Sequence, residues 1–317
     1  METETRNMLC IGGAAVDRKY RAMDAIRLGT SNPVHSERSF GGVARNVAEN
    51  VARLGVSVSL ASILGKDENG RALLDDVERL GIGTQFISIS DDHATAEYVA
   101  VLQPDGELAL GLANMTIFDE MTPALLRKLN PHLQAGWLFA DCNLPSETLH
   151  ALVDIAHRQS LTLAIDAVSM PKVMRLPRDL TGVGLLFLNL DEALAFLGEP
   201  EASPEKAAAR LRACGAERVI LTLGEAGLVV ADQSGARQVG AVRATITDAT
   251  GAGDALIAAT LVALLKGYPL TDAARLGTAA AALTVESTAS VRPDLSFALL
   301  ETTLSLRADP TLEREPS

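Results

Sequence analysis

The sequence predicts an α/β fold in three layers, α/β/α: a mainly parallel sheet covered by helices on both faces, with a small β sheet standing off it. Three observations lead there. Short apolar runs alternate with segments of helical periodicity along most of the chain, the pattern of strand–helix–strand crossovers. A Pro104-Asp105-Gly106 turn between two strand-like runs interrupts that alternation. A glycine-rich segment, Asp248-Ala249-Thr250-Gly251-Ala252-Gly253-Asp254, opens an apolar run from Ala255 to Leu265 at helical spacing.

In chain order, residues 8–11 form the first strand, followed by Gly12-Gly13. A helix over 42–54 leads to a strand at 56–61 and a helix at 70–80, before which Lys66-Asp67-Glu68-Asn69-Gly70 reads as a structural turn. Residues 95–103 and 107–112 flank the Pro-Asp-Gly turn as a hairpin, either an ordinary surface hairpin or part of a separate small sheet. Alternation resumes with a strand at 137–141, a helix at 146–159 and strands at 161–166 and 185–189. A helix at 203–213 follows, with Pro204 at its first position, then strands at 218–222 and 227–231. No repeat or linker divides the chain, so residues 1–306 read as one domain and 307–317 as a flexible tail.

Composition narrows the function classes. With 317 residues, 48% of them hydrophobic, the chain can bury a large core. Aromatics make up only 3%, too few for base-stacking platforms, and the net charge of −12 disfavours nucleic acid or an anionic membrane as partner. Cys10, Cys142 and Cys214 are widely spaced, without a C-x-x-C, which predicts a reducing compartment and no zinc site. No histidine pair has ligand spacing, the first residues do not read as a signal peptide, and no apolar run reaches membrane length. The expected location is cytoplasmic.

Two segments carry chemistry. Gly251, Ala252 and Gly253 let backbone N–H groups close around an anion at a helix's positive end. Asp254 directly behind them is badly placed to bind phosphate but well placed to take a proton from a hydroxyl attacking it. Its plainer reading is a first-turn acid that favours the helix. The second segment, Phe40-Gly41-Gly42-Val43-Ala44-Arg45-Asn46, puts a glycine pair ahead of a helix and an amide one turn inside it.

Together these segments resemble the ribokinase-like (PfkB) carbohydrate and nucleoside kinases, whose signatures are a Gly-Gly followed by Asn and a D-T-x-G-A-G-D. The chain departs from the second at Ala249-Thr250. The resemblance implies a ribokinase-like fold, ATP and Mg²⁺ as cofactors, a small-molecule sugar or nucleoside substrate, and a β lid built from about 14–20, 31–39 and 95–112. It also implies a homodimer through paired lids. Asp17, in a G-x-x-x-x-D after the first strand, would hold two sugar hydroxyls with Gly41, Gly42 and Asn46; alternatively it is a turn or cap aspartate. Asn189 and Glu192 resemble the family's N-x-x-E, implying a nucleotide contact and a water-mediated Mg²⁺ contact, against the reading of Glu192 as a helix-start acid. Thr222, Gly224 and Gly227 resemble its T-x-G-x-x-G nucleotide loop. Backbone carbonyls at Asp248 and Thr250 are the counterpart of a K⁺ site in several relatives, which the sequence leaves open. Arg45 reads as a surface residue in preference to a phosphate contact.

Within that family, Ser31-Asn32-Pro33, Asp141-Cys142-Asn143, Asp166-Ala167-Val168-Ser169 and Arg292-Pro293-Asp294-Leu295-Ser296 resemble the bacterial pseudouridine kinases. That implies pseudouridine as acceptor at its 5′-hydroxyl, with Asn114 and Asn143 as base contacts, Asn143 being equally readable as a turn residue. The alternatives are a kinase of ribose, fructose, inosine or adenosine, and a catalytically silent sugar or nucleoside sensor. A dinucleotide-binding dehydrogenase fits worse, because Cys10-Ile11-Gly12-Gly13-Ala14-Ala15 lacks G-x-G-x-x-G.

Overall fold

The computed structural model describes residues 8–129 and 137–307; positions 308–317 of the expected tail lie outside the described residues. The first half runs β1 (Met8–Ile11), β2 (Ala15–Ala22), β3 (Val34–Gly41), α1 (Val43–Arg53), β4 (Val58–Gly65), α2 (Glu68–Arg79), β5 (Gly83–Ser90), β6 (Glu97–Leu102), β7 (Leu108–Asn114) and α3 (Pro123–Leu129). The second runs β8 (Trp137–Asp141), α4 (Ser146–Gln159), β9 (Thr162–Asp166), α5 (Met170–Val173), β10 (Leu185–Asn189), α6 (Leu190–Leu197), α7 (Pro204–Ala213), β11 (Val219–Thr222), β12 (Leu228–Asp232), β13 (Gly235–Val239), α8 (Ala252–Leu265), α9 (Leu270–Val285) and α10 (Phe297–Arg307).

The large sheet has the order β13-β12-β11-β10-β9-β8-β1-β4-β5, parallel except at one edge, where β12 runs antiparallel to both β11 and β13. Alternation along β1 makes the three layers. Met8 and Cys10 pack with α1, α8 and α9 on one face, and Leu9 and Ile11 with α3, α4 and α6 on the other. Helix α8 is apolar on all sides because it is enclosed, and small residues bring α9 close: a Cβ on Gly277 would stand 2.4 Å from Thr260 Oγ1.

The smaller sheet has the order β3-β2-β6-β7, with β2 and β6 parallel and the other pairs antiparallel. Ser31-Asn32-Pro33 lies in the loop before β3, where Asn32 Oδ1 accepts the Arg27 N–H at 2.8 Å and closes the turn at 28–30. Elsewhere, boundaries moved for local reasons. The strand expected at 56–61 starts at Val58, since Val56 N donates to Val51 O at 3.2 Å and closes the end of α1. Helix α2 begins at Glu68 because Asp67 caps it, accepting from Gly70 N at 2.7 Å. Strands β5 and β13, which sequence periodicity did not single out, lie at the two edges of the large sheet, where one face needs little apolar character. Among the described residues, no helix is long and apolar enough to cross a membrane.

Candidate active site

The site is built where strands of the large sheet end and the small sheet begins. Gly12 leaves β1 at φ +149°, and a Cβ there would stand 2.5 Å from the Asp141 carboxylate. Asp141, fully buried at the end of β8, accepts three backbone N–H groups, from Gly13, Ala44 and Asn143, each at 2.9 Å. One carboxylate thus fixes the turn after β1, the start of α1 and the turn after β8. Burial raises its pKa, against the lowering effect of those N–H groups.

The small sheet brings Asp17 on β2 beside Gly41 at the end of β3, where a Cβ would come 2.0 Å from Asp17 Oδ2. Any side chain at 41 would push the Asp17 carboxylate from this position. Desolvation pushes the Asp17 carboxyl up to about 6, opposed by Lys19 and Arg45. Gly42 at φ +95° turns the chain into α1, which carries Asn46. The Asn46 amide donates from Nδ2 to Asp254 Oδ2 at 2.8 Å. That bond joins the two sequence signatures across 208 positions. Burial pushes the Asp254 carboxyl up to about 7, with Asp141 and Asp17 adding to the rise and the Asn46 donor and Arg45 opposing it.

The anion loop sits directly ahead of Asp254. Gly251 is the N-cap of α8 at φ +81°, and no side chain caps the helix; Ala252 N donates to Ala249 O at 3.3 Å within the loop, and the rest of the first turn is left to an anion, with no side-chain cap in the way. A Cβ on Gly251 would lie 1.8 Å from Ser290 O, whereas one on Gly253 would meet nothing within 4 Å. Gly251 is needed for packing, and Gly253 keeps a surface free. Asp248 Oδ1 accepts Thr250 N at 2.8 Å, and its Oδ2 receives Lys19 Nζ at 2.7 Å.

Register sets Asn189 beside Thr222 at the ends of β10 and β11. Asn189 and Glu192 form a capping box: Asn189 Oδ1 accepts Glu192 N at 2.9 Å, and Glu192 Oε2 accepts Asn189 N at 2.8 Å. The helix-start reading of Glu192 is realised in this way. Its carboxyl is nevertheless buried, and burial raises its pKa. Gly227, at φ +90°, is packed against Val239 O, while Gly224, at φ +60°, has open space around it. Among the described residues no group of three or more His, Cys, Asp or Glu side chains is arranged to hold a metal. A magnesium ion that arrives with nucleotide phosphates keeps its waters and needs no such group; Glu192, whose Oε1 is not used in the capping box, would suit it as an outer-shell acceptor.

Two base contacts expected from the sequence part company. Asn143 is buried at the end of β8, its amide directly over Gly13, with Oδ1 receiving Lys172 Nζ at 2.6 Å. Asn114 pairs in register with Glu97, on the sheet face opposite Asp17, and accepts from Thr116 Oγ1 at 3.1 Å. The structure therefore does not bring Asn114 to the Asp17–Asp254 group.

Sequence reasoning missed several members of the site. Arg45 is 4% exposed, not a surface residue, and contacts Asn46. Asp141 and Asp166 end neighbouring strands in register, and Asp166 is raised well above the carboxylate range by burial and then by Asp254, Glu192 and Asp141. Asp166 Oδ2 accepts the N–H of Val168, a β-branched residue held at φ +66°, an uncommon conformation of the kind that gathers at functional sites. The available signal was two strands each terminating in Asp at the same sheet edge.

The pfkB family carbohydrate kinase model matches residues 5–295. The pseudouridine kinase of Escherichia coli K12 is 28% identical over 296 residues, covering 92% of this chain and 94% of its own. The guanosine-inosine kinase of Exiguobacterium acetylicum is 27% identical over 284 residues, covering 88% and 94%. Among solved structures, a carbohydrate kinase from Agrobacterium tumefaciens superimposes with a TM-score of 0.85 at 30% identity, covering 95% of this chain and 98% of that one.

Proposed function

This chain belongs to the pfkB family of carbohydrate kinases, and on that premise we propose that it transfers the γ-phosphoryl group of ATP to the 5′-hydroxyl of pseudouridine. That it is an ATP-dependent sugar or nucleoside kinase follows from the family. The acceptor is the finer step. It is supported by the similarity to the E. coli pseudouridine kinase along 92% of the chain, and by Asn143, whose carbonyl oxygen faces Lys172 and whose NH₂ spends one hydrogen on Asp141, leaving the second for a base carbonyl.

The observation that carries the mechanism is the Asn46–Asp254 bond at 2.8 Å, immediately behind the uncapped start of α8. Asp17, with the Gly41 and Gly42 backbone, holds the ribose hydroxyls. Asp254 takes the 5′-hydroxyl proton while that oxygen bonds to the γ-phosphorus and the bond to the β,γ-bridging oxygen breaks, releasing ADP. N–H groups of Gly251, Ala252 and Gly253 stabilise the charge on the transferring group. Thr222, Gly224, Gly227 and Asn189 line the nucleotide side, and Glu192 would hold Mg²⁺ through its waters. Bound Mg²⁺ neutralises phosphate charge, which matters in a site with this many carboxylates. K⁺ on the carbonyls of Asp248 and Thr250 would order the same loop.

The smaller sheet (about 14–20, 31–39 and 95–112) acts as a lid within a single kinase domain of residues 1–306, excluding water from activated ATP. Leu108, Leu110 and Leu112 are each more than half exposed on its edge strand β7. An apolar edge of this kind supports a homodimer through the lids, to be checked by sedimentation. Three free cysteines and dependence on ATP support a cytoplasmic location.

The similarity to a guanosine-inosine kinase keeps a purine nucleoside as the second reading. One experiment separates them: product formation by mass spectrometry with ATP, Mg²⁺ and K⁺, offering pseudouridine, uridine, adenosine, inosine, ribose and fructose in parallel. Turnover dominated by pseudouridine is expected. Preference for another acceptor overturns the substrate, and nucleoside binding without any turnover revives the silent sensor.

A further inference from the structure

We propose that Arg45 is a positioning residue for phosphoryl transfer: it locks the Asn46 amide in the one orientation that offers Asp254 a hydrogen-bond donor. The proposal deepens the mechanism above and rests on Asp254 being the base.

The argument starts from what each group can do. An amide side chain has an acceptor end and a donor end, and nothing in its shape decides which faces a neighbour. Arginine has donors only. Arg45 Nη1 lies 3.0 Å from Asn46 Oδ1, so the oxygen must face Arg45 and Nδ2 must face Asp254, 2.8 Å away. With the amide reversed, Asn46 would present its oxygen to Asp254 and favour the protonated acid, which cannot accept a proton.

Arg45 is itself held rigidly. Its Nη2 lies 2.6 Å from Glu49 Oε2 and 2.8 Å from Asp76 Oδ2, and Nη1 also donates to Phe40 O at 3.2 Å. Arg53 pairs with the other oxygen of Glu49, and Arg79 with the other oxygen of Asp76. The resulting row, Arg53–Glu49–Arg45–Asp76–Arg79, alternates in sign across α1 and α2, and its central member, Arg45, contacts Asn46. At 4% exposure, a guanidinium is retained only with such partners.

The charged and titratable groups facing Asp254 come from four elements: Asp17 on β2, Asp141 on β8, Asp166 on β9 and Arg45 on α1. Three of these four are carboxylates. The Asn46 donor and the Arg45 charge are thus the two groups that keep Asp254 usable near neutral pH.

The test compares wild type, Arg45→Gln, Arg45→Lys and Asp254→Asn, using the best acceptor from the panel above and saturating MgATP. Gln fills a similar space but lets the amide reverse. Its kcat should fall ~10-fold at pH 7, the acid limb of kcat/KM should move up by about one pH unit, and activity should recover partly at alkaline pH. Acceptor KM should change less than about 3-fold, and Lys should restore part of the loss. A loss equal at every pH, or an unmoved acid limb, overturns the role of Arg45. Should Arg45→Gln fail to fold by circular dichroism, Arg45→Met, which keeps the apolar stem but removes every donor that fixes the amide, decides by the same two readouts. Asp254→Asn keeps the readings apart: if it turns over normally, the base assignment has failed; if it is inactive while the Arg45 variants keep the wild-type limb, only the present inference has failed.

Discussion

Lys19 Nζ stands 2.7 Å from Asp248 Oδ2, joining the small sheet to the loop ahead of α8. Lys19 lies two residues along β2 from Asp17 and so on the same sheet face, with its charge between the acceptor end and the anion end. Asp248 in turn holds Thr250 N at 2.8 Å. Lys19→Met should therefore loosen the loop and lower kcat/KM for ATP by ~10-fold, leaving acceptor affinity within about 3-fold. Asp248→Asn should do the same, and the double variant should be no worse than either single one, as a double-mutant cycle would show. Additive losses would mean the two residues act separately.

Asp254→Asn separates chemistry from binding. Asparagine still accepts the Asn46 bond but cannot take a proton, so acceptor binding by calorimetry should be nearly intact while turnover falls at least ~10²-fold. The same change should stabilise the protein above neutral pH. In the folded state the Asp254 and Asp17 carboxyls sit at about 7 and about 6, above the ordinary 3.8 of an unfolded aspartate. The folded chain then binds more protons than the unfolded one between about pH 4 and 7, so these groups favour folding fully only below pH ~4 and lose that contribution as pH rises through 6 and 7. Thermal melts should show the variant ahead of wild type at pH 8 and level with it near pH 4. A gap independent of pH would contradict the raised carboxyls.

What the sequence made legible, and what it hid, follow one physical division. Backbone requirements leave a mark on the chain: Gly41, Gly42 and Gly251 stand where a Cβ would strike Asp17, the Gly13 backbone and Ser290. The same holds for strand–helix alternation, which fixes the layers because each strand buries both faces. Side-chain partnerships between distant segments leave no such mark. Arg45 looks like a surface cation because Asp76, its partner, comes from the next helix, 31 positions on. Asn114 looked suitable at the end of a hairpin, yet the side on which a strand residue falls depends on register with β6 and β2, which a single sequence does not state. Asn189 and Glu192 show the third case, where a capping box and a phosphate-site motif share one spacing.

The two glycines of the anion loop should fail differently. Ala at Gly251 combines a positive φ with a Cβ 1.8 Å from Ser290 O, so Gly251→Ala should lower the melting temperature as well as activity. Gly253 has no such neighbour within 4 Å and an ordinary helical setting. Gly253→Ala should fold like wild type and raise the KM for ATP, since the new methyl enters the space offered to phosphate. Equal stability losses in the two variants would remove the distinction between a packing glycine and a ligand glycine.

Asp141 offers the sharpest test of how the acceptor site is held. It is fully buried and gathers the N–H groups of Gly13, Ala44 and Asn143, from three separate segments. Removing the carboxylate strands three donors, each worth roughly 1–3 kcal/mol when left unpaired. Asp141→Ala should therefore be strongly destabilised. Asp141→Asn can keep an oxygen for Gly13 and Ala44, which share Oδ2, but then turns an NH₂ toward the Asn143 N–H, so it should fold and still displace the turn after β8 that carries Asn143. Because Asn143 hangs on that turn, acceptor KM should rise ~10-fold or more while KM for ATP stays within about 3-fold. Measured against each substrate in turn, a uniform loss would show that Asp141 serves overall stability alone. A selective loss would identify the buried carboxylate as the anchor of the acceptor half.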